Sequence, residues 1–261
     1  MRVFFDWKWT FFALLLCGVG TVHAQAVENY LIEKEAAENA LRKSLNVHGV
    51  RIYEHHLVEG EISEDGYLFR QKDFDAEGRL AKDVFLGQEG NVIFACTFEY
   101  DETGRKVGMQ YQEPMTERID PVQIDWKDGR MARQIRSYGE EVGADTSYYE
   151  YDEGGRLVKE DVRGGTELSR DFWVQYRYDS LGRLHQKVTS FPGYEKTSTF
   201  KYDEEGRVAQ EIYVEFDGEV HLETGGKHFE YRRDGQVRKT IHYNRSEEIA
   251  FERRFSYIKS R

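Results

Sequence analysis

Five times this chain writes an aromatic residue, an Asp, two variable residues and then Gly-Arg: Phe74–Arg79, Tyr100–Arg105, Tyr151–Arg156, Tyr178–Arg183 and Tyr202–Arg207. Two worn copies, Asp125–Arg130 and Tyr231–Gln236, keep the rhythm. The seven glycines, at 78, 104, 129, 155, 182, 206 and 235, stand 24 to 29 residues apart. Such a period marks a repeat architecture, in which each unit buries its apolar side only against its neighbours.

In Asp-x-x-Gly the carboxylate can accept N–H bonds from the residues that follow, while Gly takes the left-handed conformation that closes the turn. The combination predicts antiparallel strands joined by a type I turn with a bulge. Apolar residues before the turn alternate, as in Phe98/Tyr100, Tyr176/Tyr178 and Phe200/Tyr202. After it, apolar pairs recur four apart at Leu80/Val84, Leu184/Val188 and Val208/Ile212, which an unbroken strand places on one face. At Leu157 the partner position is Asp161. Looser turns at Gly87–Gly90, Gly164-Gly165, Pro192-Gly193, Asp217-Gly218 and Gly225-Gly226 complete the units. The expected fold is all-β: an antiparallel, curled β-sheet of about seven repeats of two strands each, with a short N-terminal α-helix.

The chain divides into three parts. Residues 1–24 read as a signal peptide, with Arg2 and Lys8 near the start, an apolar run from Trp9 to about Val19, and small residues at Val22-His23-Ala24. A second cut could follow Ala26. Cys17 follows Leu16 rather than the small residue that a lipoprotein signal wants, so the chain is expected to be exported to the periplasm, outer surface or medium without a lipid anchor. Residues 25–48 form a helical segment, with Val27, Tyr30, Leu31, Ala37, Leu41 and Leu45 at helical spacing. Residues 49–261 are the repeat β-sheet domain. The net charge of −11 is spread without basic blocks, which argues against nucleic acid, and no later segment is apolar enough to be a membrane-spanning helix. Beyond Cys17 the one cysteine is Cys96, so no internal disulfide is available; its alternation with Phe94 and Phe98 reads as a buried strand residue.

The recurring Tyr-Asp-x-x-Gly-Arg-Leu pattern resembles the YD repeat of the Rhs family, found in bacterial Rhs and insecticidal-toxin shell proteins and in animal teneurins. It covers about residues 49–245. The resemblance implies a spiralling ribbon of β-strands, which in the large members closes into a hollow shell around a toxic cargo. This chain is too short for such a shell and carries neither the toxin nor the autoproteolysis segment, so encapsulation does not transfer.

No residue set specifies a reaction. His55 and His56 point to opposite faces of a strand, and His221 and His228 flank Gly225-Gly226 as cross-strand partners of carboxylates rather than convergent metal ligands. Serine elbows, Cys-His pairs and phosphate-binding glycine loops are missing, so no catalytic residue, metal or cofactor is assigned. The repeated Asp has its turn role, and the repeated Arg flanks a strand. The aromatics are the best handle: Trp173, opposite in phase to Phe172-Val174-Tyr176, and Trp126, in a shortened turn, are the candidate ligand-stacking residues. The functional expectation is a non-enzymatic, exported binding or structural module of the envelope, with a glycan or protein as its partner. The alternatives are a carbohydrate-active envelope enzyme, and a partner or inhibitor of a larger Rhs toxin.

Overall fold

A computed structural model describes residues 36–114, 117–139, 142–165, 171–218 and 220–259. The expected signal segment with Cys17, and residues 25–35 of the expected helical segment, lie outside them. One helix, α1, covers residues 36–44. The strands that follow are β1 (Val47–Val58), β2 (Glu61–Ile62), β3 (Tyr67–Phe74), β4 (Leu80–Leu86), β5 (Val92–Tyr100) and β6 (Lys106–Glu113). Then come β7 (Arg118–Lys127), β8 (Arg130–Ser137), β9 (Ala144–Tyr151), β10 (Leu157–Arg163), β11 (Phe172–Tyr178) and β12 (Leu184–Phe191). The last five are β13 (Tyr194–Tyr202), β14 (Val208–Asp217), β15 (Val220–Tyr231), β16 (Val237–Tyr243) and β17 (Ile249–Lys259).

The expected open, curled sheet is not what forms. β1 pairs with β3 from Gly49↔Asp73 to Glu54↔Tyr67, and on its other side with β17 from Val47↔Lys259 to His56↔Phe251. Every other strand pairs with its sequence neighbours, so sixteen strands close an antiparallel barrel and β2 is a short excursion from β1. Closure removes both edges, whose unpaired backbone groups would otherwise need cover or solvent. α1 therefore has no open edge beside it to cover.

The motif builds one end of this barrel. In each intact copy the Asp N–H donates to the Arg carbonyl and the Gly N–H to the Asp carbonyl, with Gly φ between 76° and 86°. Asp Oδ1 accepts the Arg N–H at 2.7–2.9 Å, and Oδ2 accepts the Arg Nε–H at 2.7–2.9 Å. The carboxylate thus fixes the turn and orients the guanidinium together. That guanidinium lies over the aromatic ring of the next repeat, for example Arg79 over Tyr100 and Arg183 over Tyr202, both at 4.5 Å. The ring's polar atom then donates back to the first carbonyl after the preceding Arg: Tyr100 to Leu80, Tyr151 to Met131, Tyr178 to Leu157, Tyr202 to Leu184 and Tyr231 to Val208, all at 2.7–2.9 Å. Tyr257 extends the series, donating to the Val237 carbonyl at 2.8 Å under Arg232. Phe74 has no preceding repeat, and Arg42 of α1 takes the missing place, 4.4 Å over the ring with its Nε–H on the Gly78 carbonyl at 2.9 Å. The helix stands in for a repeat at the seam, above the small core of Val47, Val50 and Ile52.

Each motif also shifts strand register by one residue, and the extra residue is always the second of the departing strand: Ala81, Val107, Ala132, Val158, His185, Ala209 and Arg238. A bulge of this kind reverses which face later residues present. The apolar pairs four apart are therefore split: Leu184 is inside with Tyr178, whereas Val188 pairs with Gln175 on the outer face. The inner positions are three and five beyond the first departing residue. They form one row of Asp83, Met109, Gln134, Glu160, Lys187, Glu211 and Thr240, and a second of Phe85, Tyr111, Arg136, Val162, Thr189, Tyr213 and His242. The expected turn at Gly225-Gly226 is also corrected. β15 runs straight through it, because Asp217-Gly218 already turns the chain, and His228 faces Gln210 and Ile241. Gly225 is needed there for space, since a Cβ would lie 2.5 Å from the Tyr213 hydroxyl.

Candidate functional site

The inner wall has two unlike arcs. From β5 to β12 it is packed solid by Phe94, Met109, Val122, Met131, Leu157 and Val174, with Cys96 among them. Burial pushes the Cys96 thiol up to about 12, which leaves it an inert core residue. The polar groups in this arc are sealed in. Asp120 accepts from Arg136 Nη2 at 2.8 Å, and Glu160, 0% exposed, shares the interior with Ser147, Tyr176 and Lys187. Burial raises the Glu160 carboxyl and lowers the Lys187 ammonium, so the pair favours fewer charges than it would in water. No substrate reaches it, and it reads as part of the core.

From β13 through β17 to β1, β3 and β4 the inner wall is charged, aromatic and half-buried. Lys227 donates to Glu211 at 2.7 Å and Lys196 to Glu215 at 2.5 Å, with the Lys196 ammonium 4.1 Å over Tyr213. Burial alone would raise the Glu211 carboxyl, but Lys227 and Ser198 hold it below its ordinary value. Arg70 pairs with Asp83 and lies 4.2 Å over Phe85.

Near the end opposite the motifs these residues become a continuous ladder of rings across six strands. His242 stacks on Phe251 at 4.1 Å; Phe251 meets His56 at 6.1 Å and His56 meets Tyr67 at 5.9 Å. Tyr67 then meets Phe69 at 6.5 Å, Phe69 meets Phe85 at 5.8 Å, and Phe85 stacks on Phe94 at 4.2 Å. Glu54 braces the middle: one oxygen accepts the Tyr67 hydroxyl at 2.7 Å and pairs with His56 at 3.1 Å, and the other accepts Arg253 Nε at 2.8 Å. Arg253 in turn lies 4.0 Å over Phe69 and 5.0 Å over Phe251. Burial, then the bond to Glu54, raises the Tyr67 hydroxyl well above its ordinary 10, so it stays a donor. Burial, with Arg253 and Lys227 nearby, lowers His242 to about 3, so its ring is neutral. The His56 side chain is 46% exposed and that of Arg253 26%. The result is a ring-lined wall that is open at Phe251, His56, Tyr67 and Phe69, with the buried Glu54 carboxylate behind it holding the Arg253 guanidinium and the His56 imidazole in place. Such a surface can stack on a ring-shaped ligand and hydrogen-bond its substituents.

The two tryptophans singled out in the sequence are not brought together. Trp126 belongs to the motif ring: its Nε1–H donates to the Lys106 carbonyl at 2.7 Å beneath Arg105. Trp173 is on the outer face of β11, half-buried between Asp161 and Ser190. The ladder escaped a sequence reading because its rings come from strands far apart in the chain. Among the described residues no group of His, Cys, Asp and Glu is placed to hold a metal ion.

No protein-family model matches the chain, and no curated protein does. Solved structures do. A porin-like protein from Bacteroides uniformis superposes with a TM-score of 0.52 at 12% identity, over 81% of this chain and 98% of that one. A porin-like protein from Bacteroides vulgatus gives 0.46 at 15% identity, over 81% and 98%. The TcdB2-TccC3-Cdc42 complex gives 0.34 at 16% identity, over 73% of this chain but 10% of that one. The first of these shows a shared barrel fold; the other two carry no argument. The outer wall differs from that of a bilayer-spanning barrel, which presents an apolar band to lipid. Here mid-strand outward positions hold ion pairs such as Arg133–Asp125, Lys159–Glu150 and Lys239–Glu252.

Proposed function

We propose that the protein is an exported, non-enzymatic binding barrel of the cell envelope, working in an aqueous compartment, and that its ligand is a glycan stacked on the open middle of the ladder, from Phe251 to Phe69. The observation that carries this reading is the half-buried Phe251–His56–Tyr67–Phe69 wall braced by Glu54 and Arg253. Sugar rings present apolar C–H faces and a rim of hydroxyls, which matches stacked rings beside a fixed carboxylate and guanidinium. The charged outer wall supports the aqueous location, because an Arg or Lys facing lipid at the midplane costs about 2–4 kcal/mol. The leader read from residues 1–24 supports export. The Asp-x-x-Gly-Arg turn chemistry supports kinship with YD-repeat proteins, of which this chain would be a small closed form.

A glycan-array screen of the mature protein, followed by calorimetric titration of the hits, tests the reading. Binding should be lost in Phe69→Ala and Phe251→Ala and kept in Trp173→Ala. Array silence, or loss in Trp173→Ala alone, would overturn it.

A further inference from the structure

The barrel end opposite the motifs carries a feature that the ladder does not use. Three hairpin tips in succession around the barrel, β14–β15, β16–β17 and β1–β3, expose Val220, Leu222, Ile249, Leu57 and Val58, with Val220 at 64% and Val58 at 60%. The same tips carry Asp217, Glu247, Glu59, Glu61 and Asp65, and none of these five carboxylates has an ion-pair partner among the described residues. The motif end differs in its apolar content: its large exposed apolar residues are Leu181 and Ile258, although it too carries exposed carboxylates at Glu102, Glu153 and Glu204 beside the paired Asp and Arg side chains. Hairpins two strand spacings apart stand about 10 Å from each other, so the three tips span roughly 20 Å.

We propose that this apolar, acidic rim is a docking surface for a basic amphipathic segment of a partner protein. Exposed apolar side chains gathered on neighbouring tips mark an interaction site, and unpaired carboxylates around them select the sign of the partner's charge. An anionic leaflet would be repelled by the same carboxylates. So would a second copy of this chain docking rim to rim, since acid would meet acid in a protein of net charge −11. A helix of about fourteen residues is as long as the three tips are wide.

The test titrates the mature protein with a Leu/Lys amphipathic helical peptide of about that length and with its Leu/Glu counterpart. The Lys peptide should bind and the Glu peptide should not, with affinity falling severalfold from low to physiological salt. Asp217→Lys/Glu247→Lys/Glu59→Lys should weaken binding at least tenfold. Glu102→Lys/Glu153→Lys/Glu204→Lys, the same change of charge at the motif end, should leave it within about twofold of wild type. Val58→Asn/Leu222→Asn/Ile249→Asn should also lose at least tenfold while keeping the native circular dichroism. Equal loss in the two lysine variants would reduce the effect to bulk charge and overturn the proposal. So would a dimer that the apolar variant abolishes, or binding to zwitterionic vesicles in place of the peptide.

Discussion

Between Phe94 and Leu184 the inner wall is closed over by its own side chains, whereas from Lys196 round to Phe85 most of it is half-buried, with charged side chains set among aromatic rings. Both arcs are built by the same repeat, with the same turn, bulge and ring of aromatics. The difference comes from the two variable rows that the bulge turns inward. On one arc they read Met109, Gln134 and Glu160, then Tyr111, Arg136 and Val162, and large neighbours seal the polar members. On the other they read Glu211, Thr240 and Asp83, then Tyr213, His242 and Phe85, beside the rings of β17, β1 and β3. The motif specifies a scaffold, and the residues it rotates inward decide whether a stretch of wall is core or surface.

The sharpest break of this comparison is a truncation in each arc. Leu157→Ala, at a site with no exposure, should cost about 2–5 kcal/mol in chemical unfolding. Phe69→Ala in the open arc should cost less than half as much, although more atoms are removed, because its ring is already partly in solvent. Equal costs would mean that the open arc is core after all. The motif glycines offer a second contrast. Gly206→Ala meets nothing within 4 Å and carries only the left-handed backbone penalty, about 1–2 kcal/mol. Gly78→Ala adds a Cβ 2.4 Å from the Asn39 carbonyl, so it should cost more and expose α1 to limited proteolysis.

Tyr178→Phe removes one rung of the motif ring and should cost about 1 kcal/mol, read as a shift in the unfolding midpoint. The pH slopes separate the arcs by sign. His242 is lowered to about 3 in the fold, so the unfolded chain binds the proton first as pH falls below 6.5. Stability should drop from there toward about 3, and His242→Phe should flatten that loss. Glu160 is raised above its ordinary 4.5, so the folded chain keeps a proton that the unfolded chain has released. Its contribution weakens as pH climbs from 4.5, and Glu160→Gln should gain on the wild type over the same climb.

Particular residues show how far the sequence reaches. The Asp75 and Asp179 turns, their left-handed glycines and the strand pairs around them were legible, because each is fixed within five residues of chain. Where Trp173 points was legible too, from its phase against Phe172 and Val174. The reading that put Val84, Val188 and Ile212 on one face with Leu80, Leu184 and Val208 failed because it carried period-2 alternation through a bulge that reverses it. With the bulge included, Asp83, Lys187 and Glu211 become the inward positions and the charged wall becomes visible.

What remained could come only from the tertiary structure. Closure depends on Val47–His56 finding Phe251–Lys259, and the ladder on His56 finding Phe251, contacts separated by nearly the whole described chain. Backbone pairing of that range leaves no local signature, since any antiparallel edge offers the same N–H and C=O groups. The sequence by itself determined the repeat: its turns, its aromatic ring and the strands between. The fold decided that the ribbon closes, that α1 fills the seam, and which side chains share the inner wall, because those follow from the order of strands around the ring rather than from their order in the chain.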